Sequence, residues 1–243
     1  MAHNSHKGWS VILLLVFGAL LMHDTEVKGP LEEAAIGSAG VVGPHVVCNT
    51  HQQSGNWVAL TFDDGPDPTY TPQVLAILRQ YQIRATFCLV GREVRAYPDL
   101  VREIVADGHR LCDHTMTHDE HLPDKSDVRI RWEVLTTLDE IHKVVPGVEV
   151  PYYRAPGGNF TRRVNSLVAG WGLQPLGWSV DPRDWSRPGV TAIIKTVDRQ
   201  LKPCGVILFH DAGGDRSETV AALKQIIPAL IAQGYQFDFP DLP

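Results

Sequence analysis

Two aspartates stand side by side in TFDDGPDP, residues 61–68, where the short apolar run WVALTF (57–62) ends. Adjacent residues of a strand face opposite ways, and a buried carboxylate without a partner is too costly to keep. Unless the stretch is a plain turn, which Asp, Gly and Pro also favour, Asp63 and Asp64 each demand a separate electrostatic partner. Candidates recur down the chain. HTMTH (114–118) carries two histidines at i and i+4; on one helical turn they share a side, within reach of a single metal ion. With Asp64 they make a His, His, Asp set that leaves a position for water, the open geometry of catalytic zinc, where a bound water's pKa falls to about 7. Asp63 beside that set is the general base that would take the water's proton. Arg154 would neutralise and orient Asp63. Asp181 beside His210 would raise the imidazole's pKa and fix its tautomer, making it a proton donor to a leaving group. The chemistry these residues suit is metal-assisted hydrolysis.

All of these residues but His118 stand at the end of an apolar run. Strand-like segments at 57–62, 84–90, 109–114, 148–156, 173–180 and 205–211 alternate with helical patterns. The first helix opens at Thr71 and Pro72, a start signal, with Val74, Leu75, Leu78 and Tyr81 at helical spacing. Others are expected over 98–106, 127–145, 161–169, 191–201 and 218–232; in the longest, Val128, Trp132, Leu135, Leu138 and Ile141 fall on one face. Such alternation predicts βαβ units and a mainly parallel sheet. In a closed parallel α/β barrel the C-terminal strand ends meet at one rim, where active sites form. Asp63 and Asp64, His114, Arg154, Asp181 and His210 would all arrive there from five separate segments.

The 243 residues suffice for one sizeable domain, and 44% apolar with 21% charged residues is ordinary for a globular chain. A net charge of −6 with no basic run argues against nucleic acid as a partner. Residues 9–22, WSVILLLVFGALLM, are short for a membrane span and follow Lys7, the pattern of a signal peptide or a retained N-terminal anchor. The expected organisation is therefore a leader over 1–22, a spacer and lead-in over 23–55 and a catalytic domain over 56–243. The enzyme would work outside the cytoplasm, secreted or anchored in the cell envelope. Cys48, Cys88, Cys112 and Cys204 fit an oxidising compartment and lack a CxxC zinc spacing; Cys88 and Cys112 lie in apolar runs and read as small buried hydrophobes.

Five motifs in order resemble the polysaccharide deacetylase family, the NodB-homology or carbohydrate esterase family 4 domain, over about residues 56–238. They are TFDDGP (61–66), HTMTH for H-[ST]-x-x-H, RAPGG (154–158) for R-x-P, DPRDW (181–185) for D-x-x-D-W, and LFH (208–210) for L-x-H. The resemblance implies a distorted (β/α)7 barrel with its site at the C-terminal strand ends. It implies Asp64, His114 and His118 as ligands of a divalent metal, zinc by default, with cobalt or nickel also suited. Asp63 becomes the catalytic base and His210 the acid, with Arg154 and Asp181 as their respective partners. Trp185 and Leu208 would wall a pocket for the acetyl methyl, while Thr115 and Asp184 read as loop organisers. The implied reaction is hydrolysis of N-acetyl groups on an amino-sugar polymer, peptidoglycan first and chitin-type oligosaccharides next. An O-acetyl esterase acting on acetylxylan and an inactive carbohydrate-binding protein are the alternatives. Many relatives carry Tyr where this chain has Gly157; a sugar-contacting ring is lost, but a backbone N–H able to stabilise an oxyanion survives. HDAGGDRSET (210–219) adds Asp211, Asp215 and Arg216, either lining the groove or belonging to a solvated Gly-rich loop.

Overall fold

Along β1 (Trp57–Asp63), Val58, Leu60 and Phe62 alternate with Ala59, Thr61 and Asp63, and both sets are buried. A strand covered on both faces belongs to a parallel sheet packed between helices and a barrel interior. The computed structural model describes residues 45–242. After β1 come α1 (Thr71–Gln80), β2 (Thr86–Leu89), α2 (Gly91–Ala96), α3 (Pro98–Ala106), β3 (Arg110–Asp113) and α4 (Asp127–Val144). Then follow β4 (Tyr152–Tyr153), α5 (Arg162–Gly170), β5 (Gln174–Pro175), α6 (Val190–Gln200), β6 (Gly205–His210), α7 (Ser217–Ala232) and β7 (Gln236–Phe237).

The strands pair in the order β5-β4-β3-β2-β1-β6, all parallel, with β7 joining the start of β1. In this register Asp63 lies opposite Cys88 on one side and His210 on the other. Two irregular segments bend the sheet round. Val47 exchanges hydrogen bonds with Pro175 and Gly177 along the β5 edge, and Val180 accepts from Leu208 along the β6 edge. The result is a curled, distorted (β/α)7 barrel, as expected. Its outward-facing apolar layer includes Phe62, whose ring stacks on Phe87 (5.2 Å) and Phe209 (5.9 Å) across three strands. Helix starts follow ordinary capping: Ser126 accepts from Arg129 N at the start of α4, and Thr161 from Val164 N at the start of α5.

Several elements depart from the sequence expectation. The runs at 148–156 and 173–180 shrink to the two-residue strands β4 and β5, because prolines at 151, 156 and 175 have no N–H for a ladder. The short helix α2 and strand β7 were not anticipated. Val128 is 79% exposed and Trp132 42% exposed, so the first half of the expected apolar stripe of α4 faces away from the core, which the stripe reaches only towards Ile141. Besides Ile141, that helix buries Ile130, Val134 and Thr137 together with Glu133 and Glu140. Periodicity misreads it because both glutamates carry partners: Glu133 meets Arg129 and Thr117, and Glu140 meets Arg95 and Lys143. Part of the expected lead-in also belongs to the barrel, since Thr50 is buried and its N–H donates to Cys204 O. Cys88 and Cys112 are buried thiols facing each other across β2 and β3. The expected leader, 1–22, lies outside the described residues, among which no helix is long and apolar enough to cross a membrane.

Candidate active site

Asp63 ends β1 almost fully buried, and Arg154, just past β4, is fully buried beneath it. Arg154 Nη1 donates to Asp63 Oδ1 (2.6 Å) and Thr61 Oγ1 (2.9 Å). Its Nε and Nη2 donate to Leu176 O (3.1 Å) and Gly177 O (3.0 Å). A planar fork held on every side leaves Asp63 one orientation. Burial opposes the guanidinium's charge, but Asp63 more than offsets this and holds the Arg154 pKa above its ordinary value.

Asp64 escapes the strand by adopting φ +76°, unusual for a residue with a side chain. The two aspartates therefore diverge through a left-handed backbone step as well as through strand alternation. Asp64 Oδ1 lies 3.5 Å from His114 Nε2 and 3.2 Å from His118 Nε2. His114 is oriented by Nδ1, which donates to Arg154 O (2.9 Å), leaving Nε2 free to ligate. The helical turn expected for 114–118 is absent. The segment is a loop in which Thr115 (φ +67°) and His118 (φ +56°) are both left-handed. Thr115 N donates to Asp113 Oδ1 (2.8 Å) and its hydroxyl accepts from His118 N (3.1 Å), so Thr115 organises the loop as expected. The histidines converge through this turn rather than through helical spacing.

One ligand atom from each of Asp64, His114 and His118 lies within 4.8 Å of the others. Asp64 Oδ1 is buried and makes no hydrogen bond. An orphaned carboxylate oxygen facing two imidazole nitrogens is what a shared cation would satisfy, and the N, N, O set suits zinc and its neighbours. Burial pushes the Asp64 carboxyl up, but the imidazoles of His114, His210 and His118 outweigh it and hold the group below the usual carboxylate range. Burial and the nearby His114 hold His118 low.

His210 ends β6 beside Asp63, and its partner is Asp184, not Asp181. Nδ1 of His210 is 2.8 Å from Asp184 Oδ1, while its backbone N–H and the Thr219 hydroxyl both donate to Asp184 Oδ2 at 2.9 Å. Asp184 is buried in a 3-10 turn between left-handed Arg183 and Arg187. Asp181 is only half-buried and accepts from Arg183 N (2.7 Å), shaping the turn that brings Asp184 back to β6. The expectation failed because strand logic was applied to a residue already past the β6 bridge at Val180. Burial pulls the His210 pKa down, yet Asp184 outweighs it and raises the group to about 9.

Leu208, buried two residues before His210, shares its face of β6, and Trp185, which follows Asp184, is 46% exposed. Gly157 sits at φ +61° in the 3-10 turn Pro156–Gly158, exposed at the rim. Sequence reasoning missed Trp178, whose ring lies over Gly158 and 5.7 Å from Arg154 Cζ. Its signal was its place at the end of an apolar run. Asp211 and Arg216 are buried, not groove-lining or solvated. Asp211 accepts from the Thr71 hydroxyl and packs under Gly65, and burial raises its pKa to about 7. The buried Asp63–Arg154 and His210–Asp184 pairs thus flank the cluster of Asp64, His114 and His118.

The sequence matches a family model described as polysaccharide deacetylase over residues 50–176. It is 43% identical over 182 residues to a peptidoglycan-N-acetylglucosamine deacetylase of Bacillus cereus, covering 74% of this chain and 84% of the relative. It is 42% identical over 193 residues to a chitooligosaccharide deacetylase of Bradyrhizobium, covering 74% and 86%. Among solved structures, the Bc1960 peptidoglycan N-acetylglucosamine deacetylase superposes with a TM-score of 0.75 at 29% identity, covering 81% of this chain and 90% of that one.

Proposed function

This chain belongs to the polysaccharide deacetylase family, and from that premise we propose that it is a metal-dependent hydrolase that removes N-acetyl groups from an amino-sugar polymer outside the cytoplasm. Peptidoglycan is the leading substrate and chitin-type oligosaccharides the next, in keeping with the relatives' activities. The observation that carries the reading is the orphaned Asp64 Oδ1 facing two imidazoles between the Asp63–Arg154 and His210–Asp184 pairs.

Asp64, His114 and His118 would hold the ion, zinc by default. When bound, it supplies Lewis acidity, making nearby water more acidic and an amide carbonyl more electrophilic. Asp63 accepts the proton of the attacking water, and Arg154 holds that carboxylate in one orientation. His210, charged through Asp184, delivers a proton to the departing sugar nitrogen, without which the amine is a poor leaving group. Leu208 and Trp185 wall the acetyl methyl, and the Gly157 backbone N–H is offered to the developing oxyanion.

Acetate release from peptidoglycan, N-acetylglucosamine oligomers and acetylxylan tests this, before and after a chelator and with zinc added back. Zinc-restored release from an amino-sugar polymer, lost in Asp63→Asn, is the expected result. Release from acetylxylan alone would reassign the enzyme as an O-acetyl esterase. No release from any of the three would overturn the reading.

A further inference from the structure

Arg216 is a guanidinium only 4% exposed, and among the described residues it forms no ion pair. Its Nε donates to Ala212 O (2.5 Å), Nη2 to Gly213 O (2.9 Å) and Nη1 to Trp185 O (3.2 Å). Burying a charge without a counterion is expensive, and a glycine-rich turn can form without an arginine. What the three bonds accomplish is to tie the loop after β6 to the turn that carries Asp184 and Trp185. The first of these loops also touches the candidate metal site. A Cβ built on Gly213 would sit 2.3 Å from Asp64 Oδ2 and 3.3 Å from Arg216 Nη2. The Gly213 backbone, left-handed at φ +74°, is therefore a wall against the Asp64 oxygen that does not face the imidazoles, and the guanidinium stands behind that wall.

We infer that Arg216 is a positioning residue that holds Asp64 in its ligating orientation and couples it to the Trp185 turn. By clamping Gly213 it blocks rotation of the carboxylate, so Oδ1 stays directed at His114 and His118. By holding Trp185 O it places the acetyl wall in the same rigid unit. The inference rests on the reading of Asp64 as a metal ligand.

Zinc affinity, measured by competition with a chromophoric chelator, separates the two. Wild type, Asp64→Asn, Arg216→Ala, Arg216→Lys and Gly213→Ala are compared for zinc affinity, Tm, kcat and KM. Outer partners of metal ligands contribute about 10–100-fold to affinity, and a loss of that order is expected in Arg216→Ala, with kcat falling more than KM changes. Arg216→Lys should recover only part, because one ammonium cannot span three carbonyls set for a planar fork. Gly213→Ala should also weaken zinc although it keeps the arginine. Should Arg216→Ala fail to fold, the other two variants decide. Folded Arg216→Lys and Gly213→Ala proteins with wild-type zinc affinity and kcat overturn the inference. Asp64→Asn protein that binds zinc as tightly as wild type overturns the metal reading and the inference with it.

Discussion

Replacing Asp184 by Asn keeps the shape of the side chain and removes the charge that faces His210. An asparagine can still accept from His210 N and from the Thr219 hydroxyl, the two bonds at Oδ2. Its NH2 would then face His210 Nδ1 and favour a neutral ring that accepts there. The imidazole, now raised to about 9 from an ordinary 6.5, should titrate at or below that ordinary value, because its burial is unchanged. At pH 8 a group titrating near 9 is roughly nine-tenths protonated, whereas one titrating near 6.5 is about 3% protonated. The variant should therefore lose about thirtyfold in kcat at pH 8 from protonation alone, and much less near pH 6. A dication beside Asp64 lowers both titrations and leaves their separation. The assay is kcat for an N-acetylglucosamine oligomer from pH 5 to 10, with the His210 ring followed by NMR. The same pair acts on stability. A folded-state pKa above the unfolded one contributes stability below about pH 6.5 that is lost as pH rises through about 9, here about 3 kcal/mol at most. Asp184→Asn should flatten that pH dependence in denaturant melts. An alkaline limb unchanged in Asp184→Asn, or moved instead by Asp181→Asn, would refute the reasoning.

Arg154→Met leaves Asp63 buried beside an apolar chain; breaking such a pair costs about 3–5 kcal/mol, read as a lower denaturation midpoint together with loss of acetate release. Phe62→Ala removes the middle ring of the Phe87–Phe62–Phe209 stack and should destabilise by about 3–5 kcal/mol, while kcat of the remaining folded enzyme at low temperature stays near wild type. Chelation should abolish acetate release and leave the far-UV circular dichroism unchanged, because the candidate ligands lie at the rim and the apolar core is built from the strands and helices below; zinc should restore activity.

The barrel was legible because its strands are short apolar runs separated by helices of ordinary length, and β1, α3 and β6 fall within a residue of where that pattern places them. Where prolines interrupt the ladder, as at β4 and β5, the apolar signal outlasted the strand. In α4 the first half of the apolar stripe pointed the wrong way, since burial of Glu133 and Glu140 depends on Arg129, Arg95, Lys143 and Thr117, partners partly far away in the chain.

The sequence by itself determined which side chains reach the rim. Asp63, His114, Arg154 and His210 end or directly follow strands, and parallel strands closing a barrel bring such positions together whatever the loops do. It also determined the class of chemistry, because carboxylates and imidazoles kept at buried strand ends need charged or metallic partners. Only the tertiary structure decided which aspartate serves His210, how two histidines meet outside a helix, and that Arg216 lies buried behind Asp64. Those outcomes depend on left-handed backbone at Asp64, Thr115, His118 and Arg183. Such conformations carry a local penalty in residues with side chains, and they persist because bonds formed across the fold hold them in place.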